Sequence, residues 1–154
     1  MALYHFNLIF FIYCFQQNDL HAGVGAGRIF NTNVTLSEAI KLVQKHIGLN
    51  VHVANGLNHS LDSTIQTVAV CAGAGAGLLK AFKADLYITG EMSHHDVLET
   101  QHKNTSVILC NHTNSERGFL NRFQKMLGIM LKGQCHVEVS SNDKDPLITY
   151  VAQQ

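Results

Sequence analysis

The stretch ADLYITGEMSHHDVLETQHKNTSVILCNHTNSERGFL, residues 84–120, contains two short apolar runs that each end in polar residues able to do chemistry. The run at residues 84–89 leads into Glu91, and the run at residues 106–110 leads into His112. Short β-prone runs followed by helix-like segments are typical of parallel α/β sheets, in which the carboxyl ends of neighbouring strands form one ligand-binding crevice. If the two runs are neighbouring strands, the residues that follow them face the same space.

Four side chains then make up the predicted site: Glu91, His95, His112 and Glu116. The last two have the spacing HxxxE, which lets a histidine at a strand end and a glutamate in the next helical turn converge on one ion. Imidazole with carboxylate suits zinc, iron, manganese or cobalt better than calcium. HxxxE also occurs in helices by chance, and two ligands do not complete a site for metals that take about four to six.

A second polar cluster, His94, His95 and Asp96, follows Glu91 closely. Adjacent residues on a helix point about 100° apart, so we expect one histidine to face the crevice and the other to lie behind it or in solvent. Asp96 could accept the second N–H of an imidazole and so orient the ring. The alternative is an ordinary helix N-terminus rich in polar residues.

The segment AGAGAG at residues 72–77 places Gly73, Gly75 and Gly77 between a predicted strand and a predicted helix. Backbone amides there could hold an anion. The third glycine comes one residue too early for a dinucleotide fingerprint, and no Gly-Lys-Ser/Thr follows as in a phosphate-binding loop. We therefore favour a tight strand-to-helix turn that needs positive φ, and close approach of this backbone to another ligand stays open.

Composition indicates one domain of 154 residues, with 46% apolar and only 14% charged residues and a formal net charge of zero. Without a basic surplus we expect no direct nucleic-acid binding. The four cysteines, Cys14, Cys71, Cys110 and Cys135, form no CxxC pair. They are therefore interpreted as reduced thiols of an intracellular protein rather than zinc ligands or a disulfide framework.

The first residues, MALYHFNLIFFIYCF, are apolar and aromatic and contain no Lys or Arg. They are too short for a bilayer-spanning helix, which needs about 20 apolar residues, and they lack the features of a signal peptide. We interpret them as a buried or unpaired strand or as a leader, and we predict no membrane association. The division expected is an atypical leader at 1–20 and a domain at 21–154.

Elsewhere the pattern predicts alternating strands and helices. The Thr35–Glu38 pair has the spacing of a capping box at the start of a helix that stops at Gly48. Before and after that helix we expect a glycine-rich loop and short strand at 21–30, a strand at 51–54 and a polar turn at 55–63. The rest of the chain is expected to contain strands at 65–71, 85–89, 106–110 and 135–140 and helices at 78–83, 93–102 and 115–131. One more short strand is expected near 151. This alternation predicts an α/β fold, a layered parallel or mixed sheet with helices on its faces and the runs at 65–71, 85–89 and 106–110 as central strands.

Two segments carry a resemblance to a known family: CAGAGAGLLKAFKADLYITGEMSHHD at 71–96 and ILCNHTNSERGFL at 108–120. With GRIF at 27–30 and Asp145-Pro146-Leu147, they closely resemble the Nif-three-like family, the type 2 homologues of GTP cyclohydrolase I, over residues 23–151. The resemblance implies a layered α/β unit, ring-like homo-oligomers of full-length members, and a site for two metal ions.

Residue by residue, the resemblance makes His112 and Glu116 metal ligands and places His95 and Glu91 beside the metals. His95 is the candidate catalytic residue, as a proton shuttle or substrate contact near neutral pH. Glu91, His94 and Asp96 are expected to contact the substrate or to support the ligands from behind.

Family members carry an additional N-terminal half, with a paired His-His motif and an aspartate that complete the dinuclear site, and this sequence shows no counterpart of it. We therefore expect a C-terminal half only, with an incomplete site. Such a half-unit should expose an apolar surface, self-associate and bind less than one metal ion per chain at micromolar concentration.

Two functions follow from the resemblance. One is a metal-dependent hydrolase, inactive in this short form, in which a metal-bridging water would act as nucleophile. The other is a non-catalytic interaction protein with partners in transcription regulation. The expected location is the cytoplasm, with nucleus and mitochondrion left open.

Overall fold

The computed structural model describes residues 12–17, 25–148 and 150. Its elements, in chain order, are β1 (Ile12–Gln17), β2 (Gly25–Thr35), α1 (Leu36–Ile47), β3 (His52–Ala54), β4 (Thr64–Cys71), α2 (Ala76–Leu79), β5 (Leu86–Thr89), α3 (His94–His102), β6 (Ser106–Leu109), α4 (His112–Arg117) and α5 (Leu120–Met130).

The strands form one sheet in the order β1-β2-β4-β5-β6-β3. β4, β5 and β6 run parallel, with Val70 opposite Ile88 and Ile88 opposite Ile108. The pairs β1–β2, β2–β4 and β3–β6 are antiparallel. The three continuous apolar runs are therefore the central strands, and the predicted mixed α/β sheet is confirmed.

Helices pack on both faces of the sheet. Alternate residues of β4 point to opposite faces, so this strand contributes to a core on each face. Val68 and Val70 belong to the larger core, which includes Leu36 and Val43 of α1. Ala69, between them, belongs to a smaller core on the other face. That smaller core consists of Ala69, Leu79, Ala84 and Tyr87.

Helix α1 has the predicted start and end. The Thr35 hydroxyl accepts a hydrogen bond from the Glu38 N–H at 3.2 Å, and the Glu38 carboxylate accepts one from the Thr35 N–H at 2.8 Å. Gly48 ends the helix with φ of 70°, a left-handed conformation that glycine adopts without a steric penalty. The capping-box prediction is confirmed.

Several predicted elements are wrong in extent. β2 is a long strand rather than the end of a glycine-rich loop, because it pairs with β1 on one side and with β4 on the other. The helix predicted at 78–83 is the shorter Ala76–Leu79. The helix predicted at 115–131 is divided into α4 and α5, with Gly118 directly after α4. Residues 21–24 lie outside the described part of the chain.

The strand predicted at 135–140 does not form. The outer edge of β6 is already paired with β3, which leaves that segment no free edge of the parallel strands to join. Instead, side-chain contacts hold this segment and the residues that follow it. Gln124 donates to the Val137 carbonyl at 2.8 Å, and Arg117 pairs with Asp143 at 2.6 Å. The described residues near 151 are not in a strand either, and Val151 itself lies outside them.

At the start of the chain, the strand interpretation holds for the part that is described, since β1 pairs with β2. Residues 1–11 lie outside the described range, so the division at residue 20 stays a prediction. None of the described helices is long and apolar enough to cross a membrane.

Helix α5 carries an exposed apolar face, which agrees with the expected uncovered surface. None of its residues is buried. The exposed members of this α5 face, counting Phe119 just before the helix, are Phe119, Phe123, Met126, Ile129 and Met130. Ile129 and Met130 are 78% and 73% exposed, so nothing in the described domain covers this end of the helix.

The capping box gives a test of the local argument. Thr35→Ala removes the hydroxyl that satisfies the Glu38 N–H, and we expect it to lower the free energy of unfolding by about 1 kcal/mol. Ser37→Ala is the matched control, because the Ser37 side chain has no hydrogen bond among the described residues. Urea denaturation followed by circular dichroism measures both, and equal losses would contradict the capping role.

Candidate metal centre

The segments after β5 and β6 bring three of the predicted side chains together. Glu91 lies two residues beyond β5, and His112 and Glu116 lie in α4, just beyond β6. His112 Nδ1 lies 2.7 Å from Glu91 Oε1, and His112 Nε2 lies 3.5 Å from Glu116 Oε1. All three side chains are about half exposed, so the cluster is open to ions and small molecules.

The short contact with Glu91 sets the tautomer of His112. A carboxylate only accepts hydrogen bonds, so Nδ1 carries the proton and donates a hydrogen bond to Glu91. In the neutral imidazole, the lone pair of Nε2 then points towards Glu116, as in metal sites where a carboxylate holds the far side of a histidine ligand. The hydrogen bond to Glu91, together with the charges of Glu91 and Glu116, raises the pKa of His112 above its usual value, and desolvation opposes this.

The donor atoms fit a transition-metal ion. Ligand bonds of about 2.0–2.2 Å at a tetrahedral angle place two donor atoms roughly 3.3–3.6 Å apart. The 3.5 Å between His112 Nε2 and Glu116 Oε1 lies in this range. Nowhere in the described residues do three or more His, Cys, Asp or Glu side chains group so as to hold a metal ion. The structure thus shows two candidate ligands and no complete set.

Gly73, in the turn after β4, lies directly against these two side chains. Its φ is +66°, so the predicted tight turn with positive φ is confirmed at this glycine. A Cβ at position 73 would lie 2.8 Å from Glu116 Oε1 and 3.1 Å from His112 Nε2. The backbone can approach these two side chains this closely only because the residue is glycine.

The Gly73 carbonyl also holds the end of β5. It accepts hydrogen bonds from the Gly90 N–H at 3.0 Å, from the Glu91 N–H at 3.1 Å and from the Thr89 hydroxyl at 3.0 Å. The backbone that carries Glu91 is therefore fixed to the same turn that lies against His112 and Glu116.

Asn111, just before His112, has an unusual backbone, with φ of 64° and ψ of 152°. This region is populated almost only by glycine, and a residue held there costs about 1–3 kcal/mol. Such strain is concentrated at functional sites. No sequence pattern identifies it.

His94 and His95 begin α3, after the N-cap Ser93, and both are exposed. Their ring centroids are 6.0 Å apart. Among the described residues, neither ring makes a hydrogen bond or an ion pair, so the structure does not join His95 to the Glu91–His112–Glu116 cluster. Its catalytic role stays a prediction.

The orienting role predicted for Asp96 is wrong, because its carboxylate is engaged elsewhere. Lys80 Nζ lies 2.6 Å from Asp96 Oδ1, and the Ser93 hydroxyl donates to Oδ2 at 2.7 Å. The hydrogen bond from Lys80, more than that from Ser93, lowers the pKa of Asp96 below its usual value. Asp96 therefore joins the first turn of α3 to its N-cap Ser93 and to Lys80, as the helix N-terminus interpretation had it.

The thiols near the cluster agree with the expectation of reduced cysteines. Cys71, Cys110 and Cys135 are free. Burial raises the pKa of Cys110 to about 11, and burial followed by the charge of Glu116 raises the pKa of Cys71. Both thiols stay protonated at neutral pH.

Fold and site together define an α/β domain whose parallel strands present a histidine–glutamate pair at their carboxyl ends. Residues 7–146 match the model of the Duf34/NIF3 (NGG1p interacting factor 3) family. The chain is 54% identical over 127 residues to NIF3-like protein 1 of Drosophila melanogaster, covering 82% of this chain and 44% of that protein. It is 42% identical over 139 residues to NGG1-interacting factor 3 of Saccharomyces cerevisiae, covering 86% of this chain and 46% of that protein.

Solved structures show the same fold. A Bacillus cereus protein related to NIF3 superposes with a TM-score of 0.69 at 22% identity, covering 80% of this chain and 36% of that one. The chain belongs to the Duf34/NIF3 family, as the resemblance implied. It spans less than half the length of the fly and yeast relatives.

Gly73 gives the sharpest test of the geometry. Gly73→Ala places a Cβ against Glu116 and His112, and it puts a residue with a side chain into a left-handed backbone conformation. We expect a loss of about 1–3 kcal/mol in the free energy of unfolding. Gly77→Ala is the matched control, because no atom lies within 4 Å of its Cβ position. It should be neutral or stabilising by up to about 1 kcal/mol. Urea denaturation measures both, and similar effects of the two substitutions would contradict the close approach.

Proposed function

We propose that this chain contributes His112 and Glu116 to a divalent transition-metal site, for zinc, iron, manganese or cobalt, of a metal-dependent hydrolase. One observation carries the proposal. A histidine nitrogen and a carboxylate oxygen lie 3.5 Å apart at the carboxyl ends of two parallel strands, with the far side of the imidazole held by Glu91. An HxxxE pair that occurs in a helix by chance is not expected to have a carboxylate such as Glu91 on the far side of its histidine.

Each residue of the cluster has a defined task in this proposal. Glu91 accepts the Nδ1 proton of His112 and keeps the Nε2 lone pair available to an ion. Glu116 supplies a negatively charged oxygen beside it. A metal ion bound by both would act as a Lewis acid and lower the pKa of a coordinated water, which supplies the nucleophile of a hydrolysis. His95 and His94, exposed at the start of α3, are proposed to contact the substrate or carry its proton.

Two ligands leave the site incomplete, and the proposal extends to what would complete it. In the full-length relatives that the resemblance describes, two ions are held and the N-terminal half supplies the other ligands. We propose that this chain alone holds metal weakly and does not hydrolyse a substrate. Homo-oligomerisation and a cytoplasmic, nuclear or mitochondrial location stay predictions.

A second candidate function is protein interaction without catalysis, and the α5 face favours it. Four apolar side chains of α5 and Phe119 just before it are exposed together, and patches of this kind mark association surfaces. The yeast relative is named NGG1-interacting factor 3, and that name describes a protein partner, NGG1, for the relative. We propose the α5 face as the surface available for such contacts in this chain.

Metal content tests the first proposal. After dialysis against cobalt or zinc, elemental analysis at micromolar protein should give less than one ion per chain. His112→Ala should reduce the affinity by more than the roughly 10–100-fold that loss of an outer partner costs. His136→Ala is the matched control, because His136 is 85% exposed and, among the described residues, its side chain is paired with Glu138 alone. Unchanged binding by the His112 variant would contradict the ligand assignment, and two tightly held ions per chain would contradict the incomplete site.

Association state tests the second proposal. The wild-type chain should self-associate, and Phe123→Asp should shift it to monomer, because a carboxylate in the centre of the α5 face opposes burial of that face. Arg122→Asp changes the neighbouring residue to the same acid outside the apolar stripe and serves as the control. Light scattering coupled to gel filtration separates the outcomes. A wild type that is monomeric at all concentrations would remove the basis for this surface.

A further inference from the structure

We infer that the Ser115 hydroxyl is a positioning group for His112 and Glu116, holding the helix that carries both against the glycine turn after β4. The inference rests on the proposed metal site. Ser115 Oγ accepts a hydrogen bond from the Gly73 N–H at 2.8 Å and donates one to the His112 carbonyl at 2.6 Å. One hydroxyl thus joins the turn below the ligands to the backbone of one of them.

The Gly73 peptide unit is the fixed point to which Ser115 attaches. Its carbonyl is already bound by the end of β5 through Thr89, Gly90 and Glu91. Its N–H is bound by Ser115. The hydroxyl therefore connects α4 to the sheet through a group that cannot move without breaking the contacts of β5.

The space around this contact is closely filled. A Cβ at Gly90 would lie 2.6 Å from Ser115 Oγ, 2.7 Å from the Gly73 carbonyl oxygen and 2.9 Å from His112 Cα. Three segments of the chain, from the ends of β4, β5 and β6, therefore meet at the Ser115 hydroxyl. A hydroxyl enclosed in this way has little freedom to turn aside.

Helix α4 has few other means of holding its position. It has only six residues, none of them buried, and no side chain caps its start. Arg117 ties its far end to Asp143, in the segment after α5 rather than in the sheet. Among the described residues, the hydrogen bonds of α4 side chains to the parallel strands and their turns are His112 to Glu91 and Ser115 to Gly73. The orientation of both candidate ligands therefore depends on Ser115 together with the contact between His112 and Glu91.

The expected effect follows from this geometry. Ser115→Ala leaves the Gly73 N–H without its partner and lets α4 turn relative to Glu91. We expect the affinity of the folded protein for cobalt to fall about 10–100-fold, the usual effect of losing a group that orients a ligand. A merely structural role would lower the stability and leave the affinity of the folded protein unchanged.

The experiment is a cobalt titration of the full 154-residue chain, at a temperature where circular dichroism shows each variant folded. Ser115→Thr keeps the hydroxyl and should restore the affinity and the cobalt absorption spectrum. Thr113→Ala is the matched control, because it removes a hydroxyl from the same helix that has no hydrogen bond among the described residues. Hydrogen exchange of the Gly73 amide, slow in the wild type, should become fast in Ser115→Ala.

The outcomes separate the two proposals. If the wild type binds cobalt and Ser115→Ala binds it equally well, the positioning role is overturned and the metal site stands. If the wild type binds no cobalt, the metal site fails and the role of Ser115 fails with it. Should Ser115→Ala not fold, Ser115→Cys takes its place, because a thiol is a weaker partner for the Gly73 N–H: a lower cobalt affinity of the folded variant supports the role, and an unchanged affinity overturns it.

Discussion

The parallel pairing of β5 with β4 on one side and β6 on the other is the constraint on which the candidate site depends. Thr89 lies opposite Cys71 and opposite Leu109, so the three strands end at one level. Every residue of β5 is buried, and a slip of one residue would exchange its two faces and misplace both cores. Hydrophobic burial in the centre of the sheet thereby fixes the distances between polar groups at its edge.

This dependence explains why much of the fold could be predicted from the sequence. Strands covered on both faces consist of continuous apolar runs, and the runs ending at Cys71, Thr89 and near Cys110 are of that kind. The start of α1 is equally local, because Thr35 and Glu38 satisfy each other's backbone. The convergence of Glu91, His112 and Glu116 follows from strand order once these elements are known.

The features that could not be predicted depend on contacts between distant parts of the chain. β2 continues beyond Phe30 because β4 pairs with it as far as Thr35, across a register shift between Asn31 and Val34, and no local signal marks that. Asp96 is held by Lys80, a partner directly after α2 and sixteen residues away in the sequence. Gly73 belongs to an expected turn, but its close approach to His112 and Glu116, like its hydrogen bond with Ser115, exists only after three strand ends meet.

The three-residue strand β3 has a consequence for aggregation. It occupies the outer edge of β6, the strand that leads into His112, and so makes the edge of the sheet on this side only three residues long. An edge this short offers little backbone to a strand from another molecule, so association through the α5 face, as proposed, would depend on side-chain packing. Contacts of that kind are limited by the size of the patch and reverse on dilution, in contrast to the indefinite strand addition that builds fibrils.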